Sequence, residues 1–156
     1  MTNPRDYALY LIEFRDRTEK ELREKLTGKG YDEEQIEDTV EFLKSYGYID
    51  DKRYASHFIS DAINLKKWGK IRIRTELLRK GIDREIVDFA IEDAFCEMDD
   101  ERLLNEMKKR FSNSDFSNMK ERTRIFGFFM RRGFTSDEIK GAMNKMSSFC
   151  DIISED

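Results

Sequence analysis

Apolar residues recur along this chain at the three- and four-residue spacing of one face of a helix. Ala55, Phe58, Ala62 and Leu65 form such a stripe after Asp51, and Leu104, Met107 and Phe111 form another after Asp100. Ile86, Ala90 and Phe95 mark a further helix. So do Met119, Thr123, Phe126 and Met130, and then Ile139, Met143 and Met146. Upstream, the pattern predicts a helix from Pro4 to about Asp16 and a second one opened by Thr18 and Glu21, which have capping-box spacing. No segment alternates with a strand's period of two for long enough to compete; Ile71-Arg72-Ile73 does so only briefly.

The helices belong to a repeat. Lys29-Gly30-Tyr31-Asp32, Lys80-Gly81-Ile82-Asp83 and Arg132-Gly133-Phe134-Thr135 share one order: base, glycine, apolar residue, capping residue. An isoleucine follows each, as Ile36, Ile86 and Ile139, and the glycines are 51 and 52 positions apart. The glycine can end a helix in the left-handed conformation, the base suits the negative end of the helix dipole, and Asp or Thr caps the next helix. The pattern predicts an all-α chain of about nine helices, divided as 1–50, 51–99 and 100–149 with an acidic tail at 150–156. Such short helices are marginal alone, so packing must hold each unit together.

The stretch GYIDDKRYA, Gly47 to Ala55, is the first joint between repeats. Gly47 ends one helix, Asp50 or Asp51 starts the next, and Tyr48 and Ile49 pack beneath. CEMDDERLL, Cys96 to Leu104, repeats the arrangement. Capping and salt bridges to Arg53 or Arg102 account for Asp50, Asp51, Asp99 and Asp100 without a metal, since no calcium-loop spacing accompanies them.

Composition narrows the function classes. The 156 residues are 40% charged with a single proline, a balance suited to a wet, helical protein, and 12% aromatic, too much for a disordered one. No apolar run approaches the ~20 residues needed to cross a bilayer, and MTNPRDYALY has no secretory layout, which predicts a cytoplasmic protein. His57 is the sole histidine, and Cys96 and Cys150 stand far apart; they read as reduced, buried or half-buried thiols with no metal site or cofactor. GxxxxGK[ST], GxSxG and HExxH are all absent, so nothing points to an enzyme.

Charge is polarised along the chain. Residues 1–50 hold 8 bases against 13 acids, 51–100 hold 10 against 11, and 101–156 hold 11 against 9. KKWGKIRIRTELLRK, Lys66 to Lys80, has seven bases and one acid, a local field able to hold an acidic partner.

The ordered blocks LIEFRDRTEKELREKLTGKGY (Leu11 to Tyr31), GYIDDKRYA, WGKIRIRTELLRKGI (Trp68 to Ile82) and RRGF (Arg131 to Phe134) resemble the RecX family of recombination regulators, over roughly Tyr7 to Met146. The resemblance implies an elongated, curved array of three tandem three-helix repeats. It also implies a monomeric, non-catalytic protein that binds the RecA recombinase filament on single-stranded DNA and suppresses its ATPase, strand-exchange and coprotease activities in DNA repair and the SOS response.

On that footing Lys66, Lys67, Lys70, Arg72 and Arg74, with Trp68, form the expected contact surface, meeting acidic recombinase or the phosphates of its strand. Lys108, Lys109, Arg110, Arg131 and Arg132 form a second basic patch. Tryptophan's usual burial favours a core-capping role for Trp68, with stacking on a partner or base as the alternative. Tyr31, Tyr48, Tyr54, Phe89 and Phe134 are expected in the core. The competing functional reading is direct binding of single- or double-stranded DNA through a helix-turn-helix unit whose recognition helix is about Ile71 to Arg79.

Overall fold

The computed structural model describes residues 2–98 and 101–154, the last of these from 149 onward as backbone only. Among the described residues there are nine α-helices and no strand: α1 (Pro4–Phe14), α2 (Glu19–Lys29), α3 (Glu33–Ser45), α4 (Asp51–Asp61), α5 (Lys70–Arg79), α6 (Arg84–Phe95), α7 (Glu101–Phe111), α8 (Met119–Arg131) and α9 (Ser136–Ser154). A π-helical turn, Ala62–Lys66, follows α4. No helix among these residues is long and apolar enough to cross a membrane.

The helix ends follow the capping logic of the sequence. Thr18 and Asp32 each close a reciprocal capping box, with Glu21 and Gln35, and Thr135 does the same with Glu138. Gly30, Gly47, Gly81 and Gly133 all lie in the left-handed region. At the first joint the two aspartates divide the work. Asp50 caps α4, accepting from the Lys52 and Arg53 amides, whereas Asp51 accepts from the Glu19 amide at the start of α2. Arg53 donates to the Gly47 carbonyl and makes no salt bridge with either aspartate of its joint; Arg102 donates to the Trp68 carbonyl. Asp99 and Asp100 lie outside the described residues.

The chain forms two compact units, Met1–Ser60 with Arg74–Ala94, and Asp61–Ile73 with Phe95–Asp156. The middle three helices thus contribute to both. In unit 1, α1, α2 and α3 pack together around Ala8, Leu22, Leu26, Val40 and Leu43. Ile49 is buried there too, and Tyr31 sends its hydroxyl to the Thr2 carbonyl. In unit 2, α9 packs on α7 and α8 over Met107, Ile125, Phe129, Ile139 and Met146. The polar-looking segment FSNSDFSNM is fastened to this core by Phe116, which is buried while its carbonyl accepts from Arg122; Asn118 then caps α8.

Several expected core positions are not core. Leu65 is 76% exposed: the π-helical turn breaks the stripe begun by Ala55, and Ile63 is buried instead. On α8 the face Met119–Thr123–Phe126–Met130 is the wrong one, since Met119 and Met130 are exposed and Ile125 and Phe129 are fully buried. The run IFGFFM is apolar on every face, so its period does not choose a side. Phe89 is 72% exposed, with Val87 buried in its place, and Tyr48 lies on the surface beside Phe42 and Tyr46. Cys96 is exposed, contrary to the buried or half-buried thiol expected, and the Cys150 side chain lies outside the described residues.

Candidate partner-binding site

The segment KKWGK begins where regular helix fails. The π-helical turn ends at Lys67, the one non-glycine residue among those described with positive φ (56°), and the Trp68 amide reaches back to the Ala62 carbonyl. A lysine held there carries strain of order 1 kcal/mol. The turn leaves Trp68 half-buried with two cations on its ring, the Lys66 ammonium 4.5 Å and the Arg72 guanidinium 4.1 Å from the centroid. Trp68 is therefore neither wholly in the core nor a bare stacking platform. Its carbonyl is held by Arg102, whose guanidinium lies 5.1 Å from the Phe134 ring centroid.

Two glycines then bring distant basic segments together. The Gly69 amide donates to the Arg132 carbonyl at 2.7 Å and the Ile71 amide to the Gly133 carbonyl at 3.1 Å. The positive end of α5 thus meets the negative end of α8, satisfying orphan groups of both. A Cβ on Gly69 would lie 2.4 Å from the Gly133 oxygen, and one on Gly133 would lie 2.4 Å from the Arg72 nitrogen, so neither residue can carry a side chain without moving backbone.

Across this crossing the side chains interlock. Arg72 donates to the Arg131 carbonyl (3.1 Å), and Arg132 donates to the Lys66 carbonyl (2.7 Å). Arg132 also lies over Phe128, 4.5 Å from its centroid, with Arg110 5.5 Å from the same ring. Burial pulls the proton affinity of Arg132 below its ordinary value, as do Arg110 and Arg72, and Glu106 only partly offsets them. Glu106 is itself engaged by Arg110. Among the described residues no carboxylate lies within ion-pair distance of Arg72 or Arg132.

The two basic patches of the sequence are thus joined in unit 2 through Lys66, Arg72, Arg110 and Arg132. Lys70 sits 5.0 Å from the Phe95 centroid, Lys67 is half-buried, and Lys109 and Arg131 are exposed; Lys108 is half-buried. Arg74 belongs to unit 1, where it pairs with Asp88 at 2.8 Å, a carboxylate held below its usual range chiefly by that contact. Sequence reasoning missed Phe128, which lies under two arginines, and Glu106, and no short-range pattern links WGK to RRGF, about sixty positions on. Chemically the site offers guanidinium forks oriented by backbone carbonyls and backed by aromatic rings, a surface for binding anions.

Family models for the first, second and third three-helix domains of RecX match residues 5–43, 50–91 and 97–143. The chain is 32% identical over 148 residues to a protein of Clostridium botulinum (strain Alaska E43 / Type E3) named Regulatory protein RecX, covering 93% of this chain and 69% of that one. It is 38% identical over 143 residues to the protein of that name from Thermotoga maritima, covering 92% and 84%. The crystal structure of RecX from Lactobacillus salivarius matches with a TM-score of 0.77 at 23% identity over 92% of this chain and 94% of that one. A second RecX crystal structure matches with a TM-score of 0.72 at 22% identity, over 90% and 73%. At these identities the two structures speak to the fold alone.

Proposed function

Because this chain belongs to the RecX family, we propose that it is a non-catalytic regulator that binds the RecA filament on single-stranded DNA and lowers its ATPase, strand-exchange and coprotease activities. The observation that carries this reading is the ordered match of three RecX domains along the chain, joined by relatives named as regulatory proteins. In this reading the repeats divide near residues 50 and 99, and a cytoplasmic monomer uses the basic face of unit 2 as its contact surface. Arg74, neutralised by Asp88, is peripheral to that face.

The geometry disfavours the helix-turn-helix alternative. A recognition helix presents its N-terminal turn to base edges, but the Gly69 and Ile71 amides at the start of α5 are bonded to the Arg132 and Gly133 carbonyls that follow α8, and Arg72 and Arg74 are tied to Arg131 and Asp88. The test is the single-stranded-DNA-dependent ATPase of the cognate recombinase, titrated with this protein at two salt concentrations. Near-stoichiometric inhibition is expected. Unaltered hydrolysis in the presence of intact filaments refutes the proposal.

A further inference from the structure

We propose that Arg72, Arg110 and Arg132 of unit 2 form a phosphate-binding site that holds the backbone of a single nucleic-acid strand. The assignment deepens the reading of this face as the partner-contacting surface, on which it rests.

Arg110 and Arg132 share the Phe128 ring, Arg72 lies near enough to act on the charge of Arg132, and the carboxylate beside Arg132, Glu106, is already engaged by Arg110. Like charges gathered by folding oppose it unless an anion compensates them. The crossing beneath the cluster is made by amides and carbonyls of Gly69, Ile71, Arg132 and Gly133, to which Arg72 and Arg132 add one side-chain hydrogen bond each and Arg110 none. Arg72 and Arg132 are each anchored by a single hydrogen bond to a carbonyl, which fixes the direction of the fork. A guanidinium has five N–H donors, so each keeps several for a ligand. This is the donor set that matches phosphate oxygens in pairs.

Spacing and surroundings favour a nucleic-acid strand over an acidic protein surface. A strand carries one charge per nucleotide, at regular intervals, and its base faces are accommodated by aromatic and guanidinium planes. Trp68 with Lys66 and Arg72, and Phe128 with Arg110 and Arg132, supply two such mixed platforms. With the Gly69 and Ile71 amides at the start of α5 already bonded, that helix end is turned to the protein rather than to a duplex groove, which favours backbone contact and stacking as the mode of binding.

The experiment is fluorescence anisotropy of a labelled dT20 oligonucleotide with the full chain and no recombinase, between 50 and 200 mM NaCl, with polyglutamate as competitor. Three phosphate contacts give a log–log salt slope of about −2, so affinity should fall roughly 20-fold over that range. The double variant Arg72→Ala/Arg132→Ala should bind about tenfold or more weakly at 50 mM with a slope shallower than about −1, whereas Arg84→Ala should match the parent. Helical circular dichroism checks folding. If the alanine variant unfolds, Arg72→Lys/Arg132→Lys decides the matter: charge kept and forks lost, it should retain the slope and lose affinity several-fold. The proposal is overturned by absence of binding at 50 mM, by variants that bind like the parent, or by polyglutamate displacing the oligonucleotide at equal charge, which assigns the face to acidic protein. Recombinase ATPase run in parallel separates the two readings. Inhibition without oligonucleotide binding sinks this site alone, and oligonucleotide binding without inhibition sinks the regulator.

Discussion

Lys80 in unit 1 and Arg132 in unit 2 hold the same place in their repeats, immediately before a left-handed glycine that ends a helix. Their carbonyls are used alike: the Lys80 carbonyl accepts from the Thr18 hydroxyl at the start of α2, and the Arg132 carbonyl accepts from the Gly69 amide at the start of α5. Their side chains meet opposite surroundings. Lys80 lies 3.3 Å from Glu21, and elsewhere in unit 1 Arg23 pairs with Glu19 and Glu37 and Lys44 with Glu19. Arg132 faces Arg110 and Arg72. One backbone device therefore serves both repeats, while charge is balanced in unit 1 and left in excess at the unit 2 crossing. A basic residue at a helix end is structural where the fold brings it an acid, and becomes a candidate for recognition where the fold brings it more bases.

The largest expected effect comes from the glycines. At Gly133 (φ 93°) a new Cβ meets Arg72 backbone, whereas at Gly81 (φ 83°) it meets the Lys20 side chain, whose outer carbons can swing away but whose Cβ, 2.6 Å off, moves only with its backbone. Gly133→Ala should destabilise by about 2–5 kcal/mol, overpacking added to left-handed strain, and Gly81→Ala by about 2–3 kcal/mol, since only part of its clash is relieved by rotation of Lys20. Urea unfolding checks the order; equal losses would mean that the two crossings are not differently built. Next, Thr18→Ala removes a fully buried cap that accepts from the Glu21 amide and donates to Lys80, and should cost about 2 kcal/mol in the same measurement.

Glu21→Gln tests the neutralised side of the comparison and should cost about 1 kcal/mol at pH 7. Burial pushes the Glu21 carboxyl up, but Lys80, Arg15 and the Thr18 amide together hold it below the usual range. A carboxyl with a depressed folded pKa stabilises fully above its unfolded value of about 4.3, and loses that contribution as pH falls through the folded value. Parent and variant should therefore converge in stability only once the pH has fallen below that depressed folded value. A gap that persists there would show that shape, not charge, is at work. The smallest effect belongs to Arg132→Ala. Losing one hydrogen bond to Lys66 while relieving repulsion from Arg72 and Arg110 should change stability by less than about 0.5 kcal/mol. A large loss would make Arg132 a structural residue like Lys80.

Much of the fold was legible because it rests on local rules. Capping boxes at Thr18, Asp32 and Thr135 and left-handed glycines at Gly30, Gly81 and Gly133 involve neighbours in sequence, so residue type and spacing suffice. Leu104, Met107 and Phe111, and Ile139, Met143 and Met146, were read as buried because each stripe has a clear polar face opposite. The Met119 stripe failed because α8 has none along IFGFFM, and Leu65 failed because one π-helical turn shifts every later position. For the site, the basic residues were visible but their grouping was not. Arg74 was counted with Arg72, two positions away, yet it pairs with Asp88, while Arg132, sixty positions on, shares the crossing with Arg72.

The sequence by itself determined the helices, their caps, the threefold repeat and the family, since each is written in short-range pattern or in the order of blocks. Only the tertiary structure decided which faces are buried and which charges remain uncompensated. Electrostatic balance depends on distances of a few ångströms between residues far apart in the chain. Where α8 ends against the start of α5, two patches that looked separate become one.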